Sequence, residues 1–487
     1  MNSSDFVDER FKVLLVEGID LPFSSLLFLF LFFPITMFLY AYVGDISRRN
    51  KVLIVSSIIF YFWAAPAYLP ILFIMTLTAW AGANMISKSK NSVRMILCSV
   101  FVFIQILALF YFKFVNQTAG FDPYIGKYFV PIGLTFYVLR LVTYLIDVYR
   151  NDAEACSNFT DVLLFSSIFH LSIAAPIVCY KEIAPTLKRR TAVVPEIGKG
   201  INRFTIGIFK VSVLAFSCDQ IVRVMFPEEL KFFEKVPALG LWIGMIAFMI
   251  QMYLVCSAYS DMAIGMGKMI GFKYKENFDY PYMATSIHTF CNKWYISLAD
   301  FIKDYIYLPI KGAKFNHIRK TAAYVLSAVF LVLFFGKNWN GIGFIVFYII
   351  VLFVEKHVLD KKLNNLNSYV RHVYTLIIVC FGWMILRFTD VQYLFALIKG
   401  LFGLNGNGFI QSTYVQLSFK YVAIIIAAAI GCTPLLKQAY QWIQKNSKKY
   451  KILIYVRRFI EVAGPIILIL LSAAALFSGD CTTLLYF

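Results

Sequence analysis

The chain has 487 residues, 60% of them hydrophobic and 15% charged, with a formal net charge of +19. Soluble domains hold about 45–50% apolar residues, so a mean hydropathy of +0.71 excludes an ordinary soluble domain and indicates a polytopic membrane protein. The basic residues fall in short clusters between apolar runs, the positive-inside pattern, which accounts for the charge without a nucleic-acid partner.

Residues 1–20 carry Asp5, Asp8, Glu9, Glu17 and Asp20 rather than a basic leader, so no cleavable signal peptide is expected. The first apolar run, roughly 21–43, therefore stays as a membrane helix. It ends at Arg48, Arg49 and Lys51, which belong in the cytoplasm and leave the N-terminus outside. Residues 52–86 hold two helices broken near Ala65-Pro66, and spans follow at 95–114 and about 129–148. The run 160–178, containing His170 and Pro176, is short and has cytoplasmic-type flanks, so it reads as re-entrant. Spans near 204–226 and 236–258 precede the most polar long segment, 259–310. Helices are expected near 322–336, 341–357, 370–388, 391–402 and 416–432, then a basic cytoplasmic loop at 437–458. A last helix at 460–478 returns the tail, 479–487, to the outside, so both termini are extracytoplasmic and residues 21–478 form one transmembrane domain. The fold class is all-α and polytopic, with about 11–13 membrane segments.

The 49 Phe and 30 Tyr suit lipid-facing helices with aromatic belts. Nine scattered cysteines read as small buried hydrophobes, and no disulfide framework, metal site or bound cofactor is expected. In the segment 259–310, Asp261, Lys268, Lys293, Asp300, Lys303 and Asp304 alternate with Tyr, Trp and Phe. Charges at membrane depth are expensive and normally face a protein interior or a water-filled cavity. The other reading is an interfacial amphipathic helix with its Lys, Tyr and Trp at headgroup level.

Several motifs occur in order along the chain: the opening Phe23-Ser24-Ser25-Leu26-Leu27-Phe28-Leu29-Phe30, then Pro131-Ile132-Gly133 with Tyr144-Leu145-Ile146-Asp147-Val148-Tyr149-Arg150. They continue with Tyr259-Ser260-Asp261-Met262-Ala263-Ile264-Gly265, Glu276-Asn277-Phe278-Asp279-Tyr280-Pro281-Tyr282, and Gly382-Trp383 with Arg387. In this the chain resembles the membrane-bound O-acyltransferase (MBOAT) superfamily, in its alginate O-acetyltransferase and D-alanyl transfer branch, over nearly its whole length. The resemblance implies a central tunnel, with Asp261, Trp294, Phe335, Asn338 and Trp339 as lining residues. It also implies O-acylation, chiefly O-acetylation, of an exported or cell-surface polysaccharide. The donor would be a cytoplasmic acyl thioester such as acetyl-CoA, and the partners membrane lipid and an extracytoplasmic acetyltransferase or esterase-like protein.

Transfer in that family depends on histidines, one in a WHIS motif and others in an LWHGxxWxxxxWGxxHG segment. Here the first motif reads Trp294-Tyr295-Ile296-Ser297 and the second Leu333-Phe334-Phe335-Gly336-Lys337-Asn338-Trp339, with Tyr348 at the distal position. The histidine positions thus hold Tyr295, Phe335 and Tyr348, and the arginine of an AGPIVRY motif is Cys179. A neutral imidazole with a pKa near 6.5 suits a general base, whereas a phenol with a pKa near 10 stays protonated. Tyr295 and Tyr348 either hydrogen-bond a substrate or fill the tunnel. His170 and His288 are the substitutes to weigh, each alternatively a structural residue; His317 and His372, beside Arg319, Lys320 and Arg371, read as solvated loop residues. The end Leu484-Leu485-Tyr486-Phe487 is similar to the family's FIYF end, which implies Tyr486 as an acyl carrier; an aromatic interface anchor is the other reading. Two further readings stay open: a non-catalytic scaffold or regulatory subunit, and a transporter using the tunnel.

Overall fold

The computed structural model describes residues 23–64, 66–115, 131, 133–191, 193–311, 317–335, 339–447 and 449–478. Helices and their connections make up all of these, and no strand occurs among the described residues. The chain divides into two compact units, and each is built from several separate segments.

The first unit comprises 1–204, 262–275 and 300–334. It contains α1 (Phe28–Tyr42), α2 (Ile46–Ala64), α3 (Pro66–Lys88), α4 (Ser92–Phe114), α5 (Leu134–Arg150), α6 (Phe159–Ser167) and α7 (Tyr180–Lys188). Helices α3, α4 and α5 pack on one another, and α6 lies against α2 and α3. Local chemistry sets the limits of α5. Gly133 precedes it at φ +71°, where a Cβ would also crowd the Tyr61 hydroxyl at 3.0 Å and the Ser172 carbonyl oxygen at 3.1 Å, and Asn151 closes it at φ +61°. The stretch 160–178 is not a spanning helix: after α6 come a 3-10 turn, Phe169–Leu171, and irregular backbone, nearly all of it buried. Non-helical backbone is tolerated at depth when protein covers it, which is the condition the re-entrant reading required.

Helix α8 (Val194–Met225) and helix α9 (Ala238–Ile270) each contribute residues to both units. Within the first unit they cross at Gly200 and Gly265. A Cβ on Gly200 would meet the Gly265 carbonyl oxygen at 2.7 Å, and one on Gly265 would meet the Gly200 oxygen at 2.8 Å. Only small residues allow backbones so close. The reach of α9 into 259–270 also settles part of the polar segment: it begins as the last turns of a long buried helix.

After an irregular stretch come α10 (Ile287–Lys293) and α11 (Ile296–Phe301), the latter continuing through a π-helical stretch, Ile302–Tyr307, to Lys311. Helix α12 (His317–Phe335) closes the first unit. The second unit, 205–261, 276–299 and 335–487, adds α13 (Trp339–Asn364), α14 (Ser368–Arg387), α15 (Val391–Leu401), α16 (Ser412–Gly431), α17 (Leu435–Asn446) and α18 (Lys451–Ser478). Helices α13 and α14 pack together and α10 lies against both. The basic stretch expected as a loop at 437–458 is instead largely helical. Thr433-Pro434 bends the chain by 61° between Tyr421–Gly431 and α17, and α18 begins at Lys451.

Eight helices are long and apolar enough to cross a membrane among the described residues, and nine if the bent pair is one span. Two shorter apolar helices, α1 and α15, bring the number of apolar elements to eleven. The expectation of 11–13 therefore exceeds the strict count because it included short helices and the buried 160–178 stretch.

Candidate functional site

Most of the motif residues in the second unit form one continuous cluster. On α9, Tyr253, Ser257 and Asp261 recur every four residues and so share one face. Lys210, from a π-helical stretch of α8 (Lys210–Ala215), meets that face: its Nζ lies 2.8 Å from Asp261 Oδ2 and 3.5 Å from Ser257 Oγ. Both members of the ion pair are largely buried. A π-turn shifts the helical register, and such turns recur at functional sites.

Tyr253 continues into an aromatic wall. Its ring centroid lies 6.3 Å from that of Trp294, which stands 4.9 Å from Trp383 and 5.7 Å from Phe290. Phe344 is 5.4 Å from Trp383 and 4.9 Å from Tyr348, and Phe290 stacks on Tyr348 at 6.1 Å. The Tyr348 hydroxyl is buried and has no hydrogen-bond partner among the described residues. It approaches Gly382 so closely that a Cβ there would lie 2.8 Å from it. The glycine of the Gly382-Trp383 pair thus makes room for the phenol, and the tryptophan packs into the wall.

The backbone that carries Trp294 and Tyr295 is held by Asn277. Its carbonyl accepts the Ile296 N–H at 2.8 Å, and its Oδ1 accepts the Ser297 N–H at 3.2 Å and the Ser297 hydroxyl at 2.7 Å. Tyr295 sits between α10 and α11 at φ +51°, a left-handed conformation costing an L-residue about 1–2 kcal/mol. Its ring is buried against Phe278, and burial pushes its phenol well above the ordinary value, with Asn277 pulling the other way. The phenol is therefore a proton donor at neutral pH. Glu355, in a π-helical stretch of α13, accepts the Ile287 N–H at 2.9 Å and the His288 N–H at 3.4 Å, placing a carboxylate at the start of α10.

The remaining expected residues are distributed as follows. Phe335 is half-buried, 6.0 Å from the Phe344 ring, whereas Trp339 is 84% exposed. Asn338 and Tyr486 lie outside the described residues. His288 is exposed and its ring faces Asn292. His372 belongs to α14 rather than a loop, its Nδ1 lying 3.1 Å from the Ala284 carbonyl oxygen, and His317 opens α12.

His170 belongs to the first unit. It is fully buried, and its Nε2 lies 2.8 Å from the Tyr274 hydroxyl oxygen. In the same unit Asp147 of the YLIDVYR motif accepts the Tyr305 hydroxyl at 2.7 Å and the Lys181 N–H at 2.9 Å, next to Cys179 at the start of α7. Arg150 donates to the Asp304 carbonyl oxygen at 2.9 Å. These contacts join the Tyr144–Arg150 motif to the 300–311 segment. Lys210 escaped the sequence reading, although a lone lysine in an apolar run was itself a signal.

Among the described residues the chain is built of helices, eight of them long and apolar enough to cross a bilayer, which defines a multi-pass integral membrane protein. No family model matches the chain. It is 32% identical to a Pseudomonas syringae protein named "Probable alginate O-acetylase" over 88% of this chain and 84% of the relative. It is 26% identical to a Helicobacter pylori peptidoglycan O-acetyltransferase over 79% of this chain and 80% of the relative. A Bacillus subtilis teichoic acid D-alanyltransferase is 25% identical over 38% of this chain and 50% of the relative. The chain belongs to the membrane-bound O-acyltransferase family.

Proposed function

We propose that this protein takes part in acyl transfer, with acetyl as the group, to hydroxyls of a cell-surface polysaccharide. The observation that carries this reading is the 32% identity to an alginate O-acetylase across 88% of the chain. The donor is an acyl thioester, with acetyl-CoA the first to test, and an extracytoplasmic acetyltransferase or esterase-like protein passes the group on. The transfer runs through a tunnel along the aromatic wall. The acceptor oxygen bonds to the acyl carbon, the C–S bond breaks, and the acceptor's proton ends on the departing sulfur. Tyr348, with its free hydroxyl, donates to the carbonyl oxygen as negative charge develops there. A protonated phenol cannot be the base, so His170 and His288 are the imidazoles proposed for that step. The basic clusters at Arg48–Lys51 and Lys437–Arg458 support an orientation with both termini outside.

One observation favours a second reading, a non-catalytic scaffold: the described ring contacts around Trp294 and Tyr348 include no histidine. Intact-mass analysis after incubation with labelled acetyl-CoA separates the two. Transfer predicts label on the wild type, none on Tyr486→Phe, and labelling of Tyr348→Phe slowed roughly 10²-fold. An unlabelled wild type, beside a histidine-containing relative that labels under the same conditions, selects the scaffold.

A further inference from the structure

The first unit buries two guanidinium groups without a carboxylate. Arg140 on α5 is 1% exposed and Arg190, just after α7, is 8% exposed, and neither forms an ion pair among the described residues. Carbonyl oxygens meet part of their hydrogen-bonding capacity. Arg140 donates to Leu171 at 2.8 Å and to Ser166 at 2.5 Å, and Arg190 donates to the Tyr40 hydroxyl at 3.1 Å and weakly to Thr186 and Leu187. Dipoles do not neutralise net charge, and a buried cation with no counter-ion is strongly disfavoured.

The atoms left over share one character. Arg140 Nε, Arg190 Nη2, the Tyr61 and Tyr137 hydroxyls and His170 Nδ1 are all buried and without hydrogen-bond partners among the described residues. His170 Nε2 and the Tyr274 hydroxyl share a hydrogen bond; in the tautomer where the hydroxyl donates, the imidazole proton sits on Nδ1 and all five groups can donate. They come from α2, α5, the Phe169–Leu171 turn and the end of α7, and they are neighbours. The Tyr61 and Tyr137 rings are 6.3 Å apart, Tyr61 lies beside Arg140, and the Phe272 ring lies 4.5 Å from the Arg190 guanidinium and 6.1 Å from the His170 ring. His170 lies near both arginines, whose charges oppose its protonation.

We propose that Arg140, Arg190, Tyr61, Tyr137 and His170 form a buried binding site for a phosphate group. Donors on four elements match a tetrahedral oxyanion better than a planar carboxylate, and guanidinium is the side chain best suited to phosphate. The phosphate is either free or the headgroup of a lipid. The site shares His170 with the proposed acyl-transfer reading, but none of its residues lies in the Tyr348 cluster, and phosphate binding is read separately from acetyl labelling.

The full chain, purified in phosphate-free detergent, is titrated with radiolabelled inorganic phosphate and, separately, with phosphatidic acid in mixed micelles read by native mass spectrometry. Saturable binding of one equivalent of either, weakened at least tenfold by Arg190→Met and by the ring-preserving pair Tyr61→Phe and Tyr137→Phe, is the expected result and identifies the source. If Arg140→Met or Arg190→Met fails to fold, the tyrosine variants carry the test. Binding of neither probe, or binding unaffected by the folded variants, overturns the proposal.

Discussion

At the scale of single residues, the Lys210–Asp261 pair is the strongest electrostatic feature of the Tyr348-containing cluster. Both partners are only 16% exposed, so solvent screens them little and each supports the other's charge. Replacing Lys210 by Met takes away this counter-charge and is expected to destabilise the protein by about 3 kcal/mol, the lower end of the cost of breaking a buried pair. The double variant Lys210→Met, Asp261→Leu should recover a good part of that loss, because the two sites interact directly and cannot be additive. Thermal unfolding in detergent measures the cycle, and strictly additive losses would show the pair to be energetically unimportant. Tyr295 stores strain of a different kind. Its left-handed backbone persists because Asn277 fixes the residues that follow it through three hydrogen bonds.

At the scale of helices, two devices position the site residues. One is close approach: α8 and α9 touch backbone to backbone at Gly200 and Gly265. Gly265→Leu is expected to cost about 3 kcal/mol or more, because the obstructing atoms are backbone and cannot move aside. Gly198→Leu, on the crossing helix α8 with nothing within 4 Å among the described residues, is the control that should be tolerated. Thermal stability of the two variants decides the matter, and equal behaviour would refute the crossing. The other device is the π-turn, which presents Lys210, Tyr305 and Glu355 to their partners. This explains what was legible in the sequence and what was not. Apolar runs gave α3, α4 and α14 to within a few residues, since length and composition are read directly, whereas α8, α9 and α13 run well past the expected limits at one end. The motif residues Asp147, Gly265, Asn277 and Trp383 also stood out, but only coordinates show that one binds a tyrosine, one allows a helix crossing, one caps α11 and one lines a wall. Register shifts by π-turns leave no trace in a 3.6-residue period, so Lys210 and Glu355 could not be paired in advance. The helix α17 was missed because the basic residues spread over 437–458 read as a loop, although an amphipathic helix carries the same composition.

At the scale of the whole molecule, the proposed orientation makes a direct prediction. Reporter domains fused to either terminus should be active only in a form that works outside the cytoplasm, while a cysteine placed at Lys445 should react only with a permeant reagent. Cytoplasmic reporter activity at both ends would reverse the topology. The segmental make-up of the units has a consequence for biogenesis. The chain passes between them five times, at 204–205, 261–262, 275–276, 299–300 and 334–335. Four of these passages fall inside α8, α9, α11 and α12 rather than in loops. The ribosome therefore cannot deliver one finished half and then the other. The unit that begins with α1 lacks its last parts until residue 334 has been made, and by then much of the second has already entered the bilayer. Early helices must wait, exposed to lipid or chaperone, for partners synthesised some two hundred residues later. A nascent chain halted near residue 290 should thus be far more sensitive to protease and membrane quality control than the same chain extended past residue 335.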